Sequence, residues 1–185
     1  MNIKNTKKPT GFTLIELLVA MVVAGILLGV ALPSFKTLLD KMAVRTTANT
    51  IVEAVRSARV SAVEERSKMR VCGLSTNGEC GAADADWDRG LVILRVNDDD
   101  TTETVHSIRF KESVYITIRQ AADYRVHINE QGWSPGSANS ILVCQEPGNN
   151  EYGYRVVISR AGKIRLEYSE DNTGWKAGDG TDLTC

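Results

Sequence analysis

The chain has 185 residues and a mass of 20.2 kDa, with 22 basic and 23 acidic side chains and a formal charge of −1. That length fits one modest domain plus a membrane anchor. The charge balance argues against a broadly basic nucleic-acid binder, and the 43% apolar content is concentrated in a dense block near the N-terminus.

Residues 1–11 form a short basic leader carrying Lys4, Lys7 and Lys8. From Phe12 to Phe35, a run of 24 residues, Glu16 is the only charge; a helix needs about 20 residues to cross the hydrocarbon core. Cleavable secretory signals place small residues after the apolar stretch. Here the stretch runs through Ala31-Leu32-Pro33 with no Ala-x-Ala site, straight into amphipathic helix. The expectation is a lost leader and a kept anchor, with the lysines holding the leader in the cytoplasm. Loss of residues 1–11 takes 22 basic residues to 19 against 23 acidic ones, near −4. A carboxylate inside a membrane span is expensive and marks a functional site, so Glu16 is the first candidate residue. Gly25 and Gly29 make a small-xxx-small pair that suits close helix packing.

Pro33 removes one helix donor and clashes with the preceding turn, so a kink is expected there. Beyond it, Leu38, Met42, Ile51, Val52, Val55, Ala58 and Ala62 recur at three- and four-residue steps, which predicts an amphipathic helix over residues 36–66. About 55 helical residues at ~1.5 Å each give a rod of roughly 80 Å. After Ser67 the period changes to two. Strands are expected at Lys68–Val71, Gly90–Val96, Thr104–Phe110, Val114–Arg119, Tyr124–Ile128, Ile141–Cys144, Tyr154–Ser159 and Lys163–Tyr168. Turn signals such as Asn97-Asp98-Asp99-Asp100 and Ala161-Gly162 separate them, which points to antiparallel sheet. The Gly-, Asp- and Thr-rich stretch from Ser169 to Cys185 reads as an irregular tail.

Cys72, Cys80, Cys144 and Cys185 all lie beyond the anchor, where an oxidising compartment is expected. Four cysteines allow three pairings. Spacing favours Cys72–Cys80, a tight loop around Gly73 and Gly78, with Cys144–Cys185 pinning the tail. His106 and His127 do not supply the paired short spacings of a zinc site, so no metal is expected. Asp84-Ala85-Asp86-Trp87-Asp88-Arg89-Gly90 fails the calcium-loop pattern at Arg89 and Arg95; it reads as an acidic surface loop, as does Asp179-Gly180-Thr181-Asp182. No catalytic residue set and no nucleotide-binding glycine loop is present, so neither an enzyme nor a cofactor is expected.

The leader ending in Gly11, followed by Phe12-Thr13-Leu14-Ile15-Glu16-Leu17-Leu18-Val19, resembles the processing site of type IV prepilins and type II secretion pseudopilins. The resemblance implies cleavage between Gly11 and Phe12 by prepilin peptidase and N-methylation of Phe12. It further implies a register role for Glu16, which would pair with the N-terminal amine of a neighbouring subunit. Ala58-Arg59-Val60-Ser61-Ala62-Val63, Trp87-Asp88-Arg89-Gly90-Leu91-Val92 and the stretch from Ser159 to Arg165 are similar to the GspH/FimT/FimU group of minor pilins and pseudopilins. That group implies an α+β fold: a long kinked N-terminal helix, half transmembrane and half amphipathic, packed on a head of two small antiparallel sheets.

These readings divide the chain into a cleaved leader (1–11), a transmembrane helix (12–35), an amphipathic half-helix (36–66) and a β-rich head with its tail (67–185). The expected function is that of a minor pilin in the initiating tip complex of a type IV pilus. The alternatives are a GspH-type pseudopilin of type II secretion and a FimT-like DNA-binding subunit. Implied partners are other minor and major pilins, the peptidase, the inner-membrane assembly platform and inner-membrane lipid. The head would be periplasmic first and on the cell surface after assembly. DNA contact would fall on Arg160, Lys163 and Arg165, within a locally basic stretch from Arg155 that also includes Lys176. A solvated hairpin is the favoured reading there, because Glu167, Glu170 and Asp171 lie alongside.

Overall fold

The computed structural model describes residues 12–110, 114–119, 123–135, 139–147, 152–169, 174–176, 182–183 and 185. Expectations for the leader, for Gly11 and for the turn at Asp179-Gly180-Thr181 lie outside those residues. Helix α1 spans Leu14–Glu64, 51 residues, and is continuous through Pro33. The chain divides into two units after Leu39.

In the first unit the apolar helix is bare. Phe12 is 84% exposed and Leu27 65%, and among the described side chains of its most apolar stretch none is buried. So much contiguous apolar surface needs lipid or neighbouring helices around it.

In the second unit, Val44, Ala48, Ile51, Val55, Ala58 and Ala62 are buried at alternating four- and three-residue steps, the spacing of one helix face. The buried stripe therefore begins at Val44. Leu38 and Met42, expected on it, are exposed; Met42 precedes Val44 by two residues, about 200° around the helix.

The β elements are β1 (Lys68–Gly73), β2 (Gly90–Val96), β3 (Thr102–Arg109), β4 (Tyr115–Arg119), β5 (Arg125–Ile128), β6 (Asn139–Cys144), β7 (Tyr154–Ile158) and β8 (Ile164–Tyr168). Two four-stranded antiparallel sheets result, ordered β3-β2-β1-β5 and β4-β6-β7-β8. The tail is not wholly irregular: β9 (Trp175–Lys176) pairs with β10 (Asp182–Leu183).

Both sheets and α1 share one core. Val71, Leu91, Ile93 and Val126 come from the first sheet, Ile116, Ile118, Ile141, Val143, Val156 and Ile158 from the second. The alternate residues are buried too. On the outer face of the first sheet, Cys72, Leu74, Val92 and Leu94 pack with Cys80; on that of the second, Leu142 and Cys144 pack with Trp175, Leu183 and Cys185. Strands β2 and β6 are thus covered on both faces, which is why they read as unbroken apolar runs (Leu91-Val92-Ile93-Leu94 and Ile141-Leu142-Val143-Cys144).

Disulfides Cys72–Cys80 and Cys144–Cys185 sit in those two outer clusters, with Cα atoms 5.5 and 6.1 Å apart. The second holds the tail across its sheet, aided by Arg155. That side chain donates to Ser140 Oγ (Nε 3.1 Å, Nη2 2.9 Å) and to the Lys176 carbonyl (2.9 Å).

The acidic stretch expected as a surface loop is instead a 3-10 helix, η1 (Asp84–Arg89), built into the structure. Trp87 is fully buried and donates from Nε1 to the Tyr124 carbonyl at 3.0 Å. Asp88 accepts from the Ile116 amide (2.5 Å), and Asp84 accepts from the Ile118 amide (2.6 Å) and from Thr117 Oγ1 (2.5 Å). These carboxylates close the outer edge of β4, an edge that would otherwise offer unpaired donors to another chain.

Candidate functional site

Thr13 and Glu16 open α1 as a reciprocal pair. The Thr13 amide and hydroxyl both lie 3.4 Å from Glu16 Oε2, and the Glu16 amide donates to Thr13 Oγ1 at 3.3 Å. This is a capping box, in which a Thr at the cap and a Glu three residues on satisfy donors that the helix start leaves unpaired. A carboxylate in the first turn also faces the positive end of the helix dipole. The spacing Thr13-Leu14-Ile15-Glu16 is the sequence signature of that box; pairing of Glu16 with a neighbouring subunit is what the family resemblance implies. Within one subunit Glu16 thus has Thr13 as its hydrogen-bond partner, and among the described residues no cationic side chain forms an ion pair with it. Phe12, its expected partner in a neighbouring copy, is exposed beside it.

A second feature lies at the far end of α1. The Arg59 guanidinium (Nη1) donates to the Gly162 carbonyl at 3.0 Å, and the Ser134 amide donates to the Arg160 carbonyl at 2.9 Å. These bonds hold the β7–β8 turn against both α1 and the loop after β5. Gly162 has φ +72°, and a Cβ there would stand 2.1 Å from the Gly132 carbonyl oxygen, so the turn accepts only glycine without displacement. The approach leaves a groove of about 620 Å³ lined by Arg56, Arg59, Val60, Val63, Glu64 and the Gly162-Lys163-Ile164 turn. Val60 and Val63 are 53% and 49% exposed along its floor.

The locally basic stretch comes apart in three dimensions. Arg155 is buried in the outer face of its sheet, where desolvation pulls its guanidinium below the ordinary value; it is a tie for the tail and not a surface cation. Arg165 lies 3.7 Å from Glu167. Arg160 and Lys163 are exposed on the turn. Among the described residues, no three His, Cys, Asp or Glu side chains gather where they could hold a metal ion.

The model of the prokaryotic N-terminal methylation motif matches residues 6–32, and that of the type II transport protein GspH matches residues 47–162. The chain belongs to the GspH family of minor pilins and pseudopilins. Its fold is similar to that of the type IV minor pilin FimU of Pseudomonas aeruginosa, at a TM-score of 0.56 and 22% identity, over 69% of this chain and 90% of that one. It is also similar to the minor pseudopilin EpsH of the Vibrio cholerae type 2 secretion system, at a TM-score of 0.50 and 15% identity, over 69% and 98%. Comparison with curated proteins finds no match. These likenesses establish the long helix on a two-sheet head; at such identities they carry the fold alone. The family is one of structural subunits, and the apolar helix with its methylation motif is the anchor of such a subunit.

Proposed function

We propose that this chain is a structural minor pilin of a type IV pilus, made as an inner-membrane precursor and incorporated into the complex that initiates the filament. Prepilin peptidase cuts between Gly11 and Phe12, and the new N-terminus of Phe12 is methylated. The anchor then leaves lipid for a core of packed helices, bending at Pro33, while the disulfide-bonded head faces outward. In that core Glu16 meets the Phe12 amine of a neighbouring subunit.

The observation that carries the reading is a lone carboxylate near the start of an otherwise uncharged apolar run, residues 12–35, whose described side chains are exposed. Two opposite charges in a low-dielectric core offset each other's desolvation only where they meet, so the pair favours a single axial register. Replacing Glu16 by Val should leave membrane insertion intact and abolish incorporation into filaments, scored by fractionating sheared pili from membranes. Incorporation at the parental level would sink the pairing mechanism.

A second reading, a pseudopilin of a type II secretion system, is favoured by the description of the matching family and shares every step above. Deleting the gene and scoring surface pili, secreted enzymes and DNA uptake in parallel separates these roles. A DNA-binding role has the weakest support, because Arg155 is withdrawn from the surface and Arg165 stands beside Glu167.

A further inference from the structure

On the outer face of the first sheet, the apolar cluster includes Cys72 of β1 and Leu94 of β2. Arg70 and Lys68 precede Cys72 by two and four residues, so they continue that face of the strand. Arg70 stands between Leu94 of β2 and His127 of β5. Together with Asp100, Asn129 and Pro135, these residues line a pocket of about 340 Å³. That volume falls in the range of small-molecule sites, about 300–1,000 Å³.

Two other arginines of this sheet are compensated: Arg95 pairs with Glu65 and with Glu103, and Arg125 lies 3.8 Å from Asp123. Arg70 is not. It is half-buried, its Nε is buried without a hydrogen-bond partner, and among the described residues neither Arg70 nor Lys68 forms an ion pair, although Asp100 borders the same pocket. An uncompensated guanidinium in the wall of a sheet costs stability, and a polar group left in that state calls for a partner. His127 adds no further unmet charge, because its Nε2 lies 2.8 Å from Asp123. The polar groups on the rim have defined roles. Asn129 Oδ1 accepts from the Gln131 and Trp133 amides at 3.2 and 2.8 Å, which leaves its Nδ2 to donate. Asp100 is exposed and offers only acceptors.

We propose that this pocket binds a polyhydroxylated carboxylate of monosaccharide size, a uronic acid, with its carboxylate on Arg70 and Lys68 and its hydroxyls on Asp100 and Asn129. The planar fork of a guanidinium matches the two oxygens of a carboxylate. Charge selects among oxyanions. Two cations against Asp100 leave one net positive charge, which a carboxylate neutralises, whereas a phosphate dianion brings an excess of negative charge against Asp100. Asp100 in turn needs hydroxyl donors, which a simple carboxylate lacks, and a neutral sugar leaves Arg70 uncompensated. The site goes beyond the filament reading and does not depend on it, since one head carries every group involved.

The test uses the full-length protein in nanodiscs of phosphatidylcholine, which carry no net charge, with glucuronate as the probe and saturation-transfer NMR as the readout. Glucuronate should receive saturation from the protein, while glucose and inorganic phosphate at the same concentration should receive little. Arg70→Met and Lys68→Met should each lower the affinity about tenfold or more, the scale of one charge-assisted hydrogen bond. Arg70→Lys keeps the charge and loses the fork, so it should not recover parental affinity. Because Arg70 has no partner within the protein, Arg70→Met should unfold in urea at an equal or higher midpoint than the parent, which separates loss of binding from loss of fold. The methyl glycoside of glucuronate stands in for a residue within a chain. Binding equal to that of the free acid supports the site with an anionic polysaccharide as its source, and weaker binding supports it with the free sugar acid. The proposal is overturned if phosphate or glucose binds as well as glucuronate, if Arg70→Met binds like the parent or is clearly less stable, or if a short oligonucleotide takes the pocket and glucuronate does not.

Discussion

Burial raises the Asp88 carboxyl above its ordinary value; the Ile116 amide opposes that shift and the neighbouring Asp84 charge adds to it. A raised value means that the folded state favours the protonated form. The stabilisation is therefore full below the unfolded value near 3.8 and is lost as pH rises through the folded value. Asn at this position keeps an oxygen for the Ile116 amide and cannot ionise. Asp88→Asn should thus unfold in urea at an equal or higher midpoint than the parent at pH 7, the gap closing toward about pH 4. A clearly lower midpoint at pH 7 would mean that the charged hydrogen bond outweighs desolvation. At the other end of the chain, Glu16 is exposed and accepts hydrogen bonds from Thr13 within its own subunit.

At the level of elements, the two disulfides should differ in strength, because the stabilisation from closing a loop in the unfolded chain grows with its length. A separation of 8 residues for Cys72–Cys80 corresponds to about 2.5 kcal/mol, and one of 41 for Cys144–Cys185 to about 4 kcal/mol. Cys185→Ser should therefore cost more than Cys80→Ser in urea unfolding. It should also open the tail to proteolysis near Lys176, as Trp175 and Leu183 lose their cover over Leu142. An equal loss from both variants would contradict the loop-closure account. Much at this scale was legible. Gly90–Val96 was placed end to end by its apolar run and its Asp-rich turn, and all eight head strands fell within two residues of their expected limits. What escaped were elements whose formation depends on distant partners. Asp84–Arg89 reads as solvated acid until β4 supplies amides for it, and Trp175 lacks a period of its own until Leu142 and Cys185 are beneath it. The site was less legible than the fold. Arg155, Arg160, Lys163 and Arg165 look alike in sequence, and only the pairing of β7 with β6 and β8 puts the first of them on the outer face beneath the tail.

For the whole molecule, the division after Leu39 separates a part whose apolar surface lies outside from a part that buries its own. A charge added in the first part should act on insertion and leave the head folded. Val23→Arg, near the middle of the apolar run, should cost about 3 kcal/mol on membrane insertion. It should shift protein from the alkali-resistant to the soluble fraction, with the head still resistant to trypsin. Unchanged partitioning would argue that the helix does not span. The head itself has a property that its connectivity makes plain: the first cysteine bonds to the second and the third to the fourth. A thiol oxidase that joins cysteines in the order they cross a membrane makes this pattern at the first attempt. The protein should therefore mature without a disulfide isomerase, and each sheet should gain its outer cover in turn as the chain is delivered.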